Sequence, residues 1–551
     1  MQPLSTKDRF LKNEIRRSNH LFSPLRSIVE TSMYSNNVQP ITSLDQAYQT
    51  AHDAINTIVT DLPVKFPDKL GLPSNAKILV ENGNSVVGRT AAAKRIYGEN
   101  PEEDAKLKTL VLDAIYDGTK TNRYKTTAYV GLDPEFMVKA HLTVPKGQEN
   151  NLYSWLLNFQ VTNEFYNDLY KDSQEINEGD ILIYQDANWH HPDYPLGLAY
   201  FDSAHNCAII LGMNYFGELK KSTLTLAWNI AHNIGYVSCH GGQKKFVLKE
   251  NESYVAAFFG LSGSGKSTLT HAKHHNKYEV EVLHDDAFII SLKNGSSIAL
   301  EPAYFDKTQD YPADHPEVDY FVTVQNVGVT QDENGNKVLL TEDLRNGNGR
   351  TIKSRYSTPN RVDKFEEPIN AVFWIMKDDS LPPVLKINDP ILATTFGATL
   401  ATKRTTAERL KKGVDINKLV IEPYANPFRV YPLIDDYNNF KYLFEELGTD
   451  CYILNTGFFL DHKIPKEVTL GAIESIIDDT AEFQEFGHLT DIQYMVTEDF
   501  KPDFTDSSYV SLVDERMKMR GEFIREQGQK NALNVLPNEA LKVILSLINE
   551  S

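Results

Sequence analysis

Residues 260–267 read GLSGSGKS, a match to the pattern G-x-x-x-x-G-K-[ST]. In such a segment Gly260, Leu261, Ser262, Gly263, Ser264 and Gly265 turn successive backbone N–H groups toward phosphate oxygens, and glycine keeps side chains out of the way. Lys266 would reach the β- and γ-phosphates, Ser267 would offer its hydroxyl to Mg²⁺, and Thr268 would continue into a helix whose N-terminus adds positive potential. About twenty residues further on, EVEVLHDDAFII places Asp285 and Asp286 at the end of an apolar run, where a phosphate-loop protein carries a metal-binding carboxylate. Adjacent residues on a strand point to opposite faces, so one of the two at most can enter a first metal shell. Upstream, NYFGELKKS supplies Tyr215, Lys220 and Lys221, and SCHGG supplies His240. Taken alone, a Lys-Lys pair is ordinarily a solvated face and a single His a structural residue.

These groups need elements to hold them. SYVAAFFG (253–260) is a continuous apolar run ending at glycine, the usual entry to a nucleotide-binding βα unit, and STLTHAK can open the helix that follows. Before it, apolar spacing predicts a helix over 44–60, strands at 77–80, 128–130, 180–184 and 206–211, and a helix over 221–233 broken by the glycines of GYVSCHGG. After it come short buried runs at 371–375, 418–421 and 451–454 and an amphipathic segment at 512–527. The polar stretch 331–348 reads as a hairpin or exposed loop. TTFGATLATKRTT (394–406), rich in small residues, suits a mobile lid. The fold class is α/β with two domains, 1–240 and 241–551.

Composition bounds the partners. The net charge of −19 argues against a nucleic-acid or anionic-membrane binder, because those surfaces need a basic face. Anionic substrates would therefore meet a local basic island. Three widely spaced cysteines, Cys207, Cys239 and Cys451, imply neither a disulfide framework nor a cysteine metal cluster and fit a reducing cytoplasm. The N-terminal segment lacks the apolar core of a signal peptide, and no run is long enough to span a bilayer. A monomer or small homo-oligomer is expected.

GLSGSGKST, HDDAF, NYFGELKKS with SCHGG, VVGR (86–89), PNRV (359–362) and LNTG (454–457) occur in one order along most of the chain. Together with EPAYFDKTQD (301–310) and LPPV (381–384), this set resembles the ATP-dependent phosphoenolpyruvate carboxykinase family, in a divergent bacterial-type form. The resemblance implies a two-domain fold with a substrate-binding N-terminal half and a phosphate-loop C-terminal half. It implies conversion of oxaloacetate and ATP to phosphoenolpyruvate, ADP and CO₂, a reversible gluconeogenic or anaplerotic step, with Mg²⁺ on the nucleotide and Mn²⁺ at the substrate. By motif, Lys221, His240 and Asp286 would hold the second ion, and a lysine ligand must be a neutral amine, its pKa lowered by neighbouring cations such as Lys220 and Arg361. Arg89 would take a substrate carboxylate and Tyr215 would sit in the substrate and CO₂ region. Lys220, Lys266 and Arg361 would neutralise charge on the transferring phosphoryl group, Arg361 also reaching the nucleotide, and 397–406 would form the lid that keeps water from the enolate.

The sequence also departs from the family pattern. TAAAKR follows Arg89 where Ser-Pro-Lys-Asp-Lys is usual, FFLDHKIP follows the Asn-Thr-Gly segment where a glycine-rich turn is usual, and His284 with AFII flanks the Asp pair. Two other readings remain at this point: a phosphate-loop kinase with another acceptor, and a nucleotide-binding regulatory protein without catalysis. Arg89 and the Lys221/His240/Asp286 set favour the carboxykinase, because a simple hydroxyl kinase needs neither.

Overall fold

The computed structural model describes the chain except residues 1–10, 15, 17–18, 20, 82–93, 98–100, 162–163, 250–251, 262, 313, 342–348, 404–417, 498, 531 and 549–551. Its described residues form two compact α/β units. One gathers Met1–Ile230 and Leu300–Pro359; the other gathers Ala231–Ala299 with most of the chain from Asn360 onward. A single cut near 240 does not describe this division. Residue 240 lies inside a continuous strand, Tyr236–Val247, and the glycines of SCHGG are strand residues rather than a break. The chain also returns to the first unit after 300, because Phe321–Gln325 pairs in parallel with Lys77–Glu81.

Two sheets organise the first unit. The larger runs Val38–Pro40, Arg123–Asp133, Phe136–Pro145, Ile181–Asp186, Cys207–Leu211, Leu198–Asp202, Lys94–Ile96. The other runs Tyr304–Lys307, Arg350–Lys353, Phe321–Gln325, Lys77–Glu81, Thr57–Pro63. Thr57–Pro63 corrects the helix expected over 44–60: the helix is Leu44–His52, capped by Ser43 Oγ accepting from Gln46 N, and the β-branched run that follows pairs as a strand. The helix Phe216–Asn233 begins five residues before the expected start, so Lys220 and Lys221 belong to it. It is buried almost all round, and Lys221 is the one position between 216 and 231 that is not.

The second unit is built on one large sheet in the order Lys364–Phe365, Ser297–Ala299, Ala287–Ser291, Tyr236–Val247, Ser253–Phe259, Ala371–Met376, Asp450–Asn455, Val384–Ile387, Leu489–Met495, Phe483–Phe486. Ser253–Phe259, Ala371–Met376 and Asp450–Asn455 run parallel at its centre. Their apolar sequences follow from burial on both faces. Cross-strand aromatics pin the register: Phe258 stacks on Phe373 and Phe373 on Tyr452, each at 5.1 Å, while Phe259 meets Trp374 at 5.1 Å on the opposite face.

The polar stretch 331–348 contains one arm of a hairpin, Gly328–Gln331 with Lys337–Leu340. Of the expected lid, Gly397 and Ala398 end the helix Pro390–Ala398 and Ala401–Lys403 is a strand paired with Leu419–Ile421. Residues 397–402 are buried, and 404–406 lie outside the described residues. Among the described residues no helix is long and apolar enough to cross a membrane.

Candidate active site

The three parallel strands at the centre of the second unit all end at the glycine loop or at a residue that bonds to it. Ser253–Phe259 runs into Gly260, Ala371–Met376 into Lys377, and Asp450–Asn455 into Thr456. Gly263 and Gly265 take φ of 78° and 101°, a region that favours glycine, and Gly265 caps the helix Lys266–His271. Two side chains fasten this loop by its carbonyl groups: Lys377 Nζ donates to Gly263 O at 2.8 Å and Thr456 Oγ1 donates to Ser264 O at 2.8 Å. Within the loop Ser264 N donates to Leu261 O at 3.0 Å, which closes the turn. Burial, and Lys403 after it, lowers the Lys377 pKa. Neither Lys377 nor Thr456 was singled out as a site residue from the sequence, although each follows a buried strand where α/β proteins gather ligand groups. Ser262 lies outside the described residues.

Asp285 and Asp286 occupy the joint between strands Glu279–His284 and Ala287–Ser291, and the two carboxylates separate as adjacent residues must. Asp285 turns inward. Burial would raise its pKa, but contact with His271, at 3.6 Å, and with His284 outweighs that and holds it well below the usual carboxylate range. Asp286 turns to the half-exposed side, with Oδ1 3.0 Å from His240 Nε2 and 3.7 Å from Lys266 Nζ. The buried His284, a departure from the family pattern, shapes this joint: its Nδ1 accepts from Asp286 N at 3.0 Å and Ala287 N at 3.2 Å.

His240 is fixed on its other side, where Nδ1 meets Ala425 O at 2.5 Å. A carbonyl can only accept, so Nδ1 carries the proton and, in the neutral ring, Nε2 presents a lone pair to the Asp286 carboxylate. Two electron-rich atoms at 3.0 Å need a proton or a cation between them, and a histidine oriented through its second nitrogen is the usual form of a metal ligand. Among the described residues no group of three His, Cys, Asp or Glu side chains is arranged to hold a metal. Lys221, the third ligand implied by motif, belongs to the first unit, as do Tyr215 and Lys220.

Arg361 continues the ladder: its backbone bridges Val282, while its guanidinium Nε stands 3.8 Å from Asp363 and the side chain is buried. In the first unit, Lys220 Nζ pairs with Glu301 Oε1 at 2.9 Å, and Asn158 donates to Glu301 Oε2. The Lys221 ammonium lies 5.7 Å from the Trp228 ring, and Tyr215 packs near Phe305. Arg89 lies outside the described residues. After Asn455 a tight hairpin, Phe458–Phe459 with His462–Lys463, stands in place of the glycine-rich turn, and Leu460 takes φ 53° there.

A glycine loop at the carboxyl ends of parallel strands, followed by a lysine-led helix and faced by a carboxylate, is the arrangement with which α/β proteins receive nucleotides. The family model described as phosphoenolpyruvate carboxykinase, ATP type, matches residues 86–503, and the chain belongs to this family. A phosphoenolpyruvate carboxykinase (ATP) of Aeropyrum pernix is 27% identical over 346 residues, covering 58% of this chain and 67% of that one. The enzyme of the same name from Saccharomyces cerevisiae is 24% identical over 255 residues, 40% of this chain and 43% of the yeast one. That of Dictyostelium discoideum is 26% identical over 160 residues, 28% and 27% of the two chains.

Proposed function

We propose that this chain catalyses the family reaction, the ATP-dependent and reversible conversion of oxaloacetate to phosphoenolpyruvate, ADP and CO₂. Decarboxylation breaks the bond between the carboxylate and C3, leaving its electron pair as an enolate. The enolate oxygen then attacks the γ-phosphorus in line, and the bond to the ADP oxygen breaks. No protein nucleophile takes part. Lys266 neutralises charge on the transferring phosphoryl group and Ser267 stands at the nucleotide-bound metal, assigned as Mg²⁺. Arg361 takes part in the same neutralisation, and Lys220, Lys221, Tyr215 and Arg89 serve the substrate according to their places in the family motifs. Lys221, His240 and Asp286 would hold the divalent ion at the substrate, assigned as Mn²⁺, which would supply a Lewis acid there.

The observation that carries this reading is the convergence of Lys266, Asp286 and His240 beside a glycine loop, in a chain whose family is phosphoenolpyruvate carboxykinase. A kinase acting on a plain hydroxyl also uses a carboxylate, so family membership rather than the His240–Asp286 pair favours this acceptor. The test is a coupled assay for phosphoenolpyruvate formed from oxaloacetate, with ATP or GTP and with Mn²⁺ present or absent. ATP-dependent product that rises with Mn²⁺ is expected; bound ATP without product overturns the acceptor. His240→Ala should weaken the half-saturating Mn²⁺ concentration about 10- to 100-fold while leaving ATP binding near parental. Unchanged Mn²⁺ titrations would remove His240 from the metal site.

A further inference from the structure

Lys244 lies in the strand Tyr236–Val247 and is fully buried, which a lysine tolerates only when its ammonium is well partnered. Its Nζ donates to Leu269 O at 2.6 Å, to Ala272 O at 3.3 Å, and to His274 Nε2 at 2.8 Å. Two acceptors are carbonyls that end the helix Lys266–His271, so the ammonium caps the helix that the glycine loop opens. Because Nε2 accepts, the imidazole proton sits on Nδ1, which donates to Glu474 Oε1 at 3.0 Å. Glu474 stands on the helix Lys466–Ile477, so one line of hydrogen bonds joins a central strand, the loop helix and a second helix.

Two further features show what this line restrains. His274, His275 and Asn276 take φ of 48°, 53° and 61°, three successive non-glycine residues in the left-handed region, a strain that persists only where surrounding contacts over-determine it. A cavity of about 650 Å³, lined by Thr268, His271, His274 and Glu474 among others, opens beside the end of the loop helix and leaves it room to shift.

The other groups facing the line are named by element. Phe246 and Phe258 present their rings to Lys244 at 4.6 and 5.7 Å. Tyr278 packs near His274 and its hydroxyl donates to Glu474 O, and Lys277 stands 3.7 Å from Glu474 while pairing with Asp478. His275 adds a neighbouring imidazole to His274. Burial lowers the Lys244 pKa to about 7, with Glu474 opposing. Burial and Lys244 lower that of His274 to about 4, consistent with a neutral ring that accepts at Nε2.

We propose that Lys244, His274 and Glu474 are positioning residues for the phosphate loop, locking the far end of the helix Lys266–His271 so that Lys266 and Ser267 at its start meet the nucleotide. The inference rests on the phosphate-loop reading of residues 260–267. A neutral amine keeps two N–H donors for the three acceptors Leu269 O, Ala272 O and His274 Nε2, so the line loses one bond as Lys244 gives up its proton, and ATP affinity falls as pH rises past about 7. The test compares full-length Lys244→Met and Glu474→Gln with the parent by calorimetric MgATP titration across pH 6–9, by KM and kcat, and by unfolding temperature. Lys244→Met should raise the Kd for MgATP about ten-fold with the KM for oxaloacetate within about two-fold of parental. Glu474→Gln should raise the Kd about three-fold and move the pH inflection downward, because the carboxylate that favours charged Lys244 is gone. Should Lys244→Met fail to fold, Glu474→Gln, at the part-exposed end of the line, decides alone. MgATP affinity within two-fold of parental at every pH in the folded variants overturns the positioning role. Parental turnover in Lys266→Ala overturns instead the loop reading beneath it.

Discussion

Lys220 and Lys266 both stand near the start of a helix, and the two regions treat the charge differently. In the first unit Lys220 is buried and paired at 2.9 Å with a buried Glu301, whose second oxygen Asn158 occupies. In the second, Lys266 stands 3.7 Å from Asp286, beyond hydrogen-bond distance, and Asp286 is shared with His240 at 3.0 Å. One cation is neutralised by the protein itself and helps hold its unit together. The other is left with its electrostatic demand unmet, which is what a group that must bind a polyanion requires. A tight partner thus gives Lys220 a structural share that Lys266 lacks, whatever each does at the substrate.

The largest expected effect is at the loosely paired side. Lys266→Ala should lower the rate of phosphoryl transfer by about a thousand-fold or more with little change in unfolding temperature, measured by steady-state assay and calorimetry. A large loss of stability there would break the comparison. At the tightly paired side the balance should reverse. Lys220→Met leaves Glu301 buried with an uncompensated charge, a cost of about 3–5 kcal/mol, so unfolding temperature should fall sharply. Lys220→Met/Glu301→Leu should recover most of that stability without recovering activity, which separates the structural share of Lys220 from any catalytic share.

A smaller effect is expected at Asp436, a buried carboxylic acid that accepts from Tyr431 Oη at 2.8 Å. Burial raises its pKa to about 7, with Arg429 and Tyr431 opposing. The folded state thus binds the proton more tightly than the unfolded chain, and the stability it contributes at low pH is lost as pH rises toward 7. Asp436→Asn should raise the unfolding temperature at pH 8 and change it little at pH 5, read by thermal denaturation. The smallest effect sharpens the loop itself. Thr456→Val removes the bond to Ser264 O, worth about 1 kcal/mol, and should raise the KM for ATP by a few fold with kcat nearly unchanged.

The sequence alone determined the chemistry-bearing segments and the local conformation they demand. The motif spacing of residues 260–267, the apolar run that feeds it and the glycines at 263 and 265 are local features, because phosphate-loop geometry requires few side chains at fixed short offsets. The division of labour between Asp285 and Asp286 was legible as a consequence of their adjacency, and the family motif pointed to Asp286, although what turns each carboxylate to its side was not legible. Tertiary structure decided that, through His271 and the buried His284 on one side and His240 on the other. It also decided the return of Phe321–Gln325 to pair with Lys77–Glu81, the Lys377 and Thr456 anchors of the loop, and the Glu301 partner of Lys220. Each joins residues dozens to hundreds of positions apart. Periodicity and spacing report only what neighbours along the chain must do, while pairing across the sheet depends on which apolar faces bury one another.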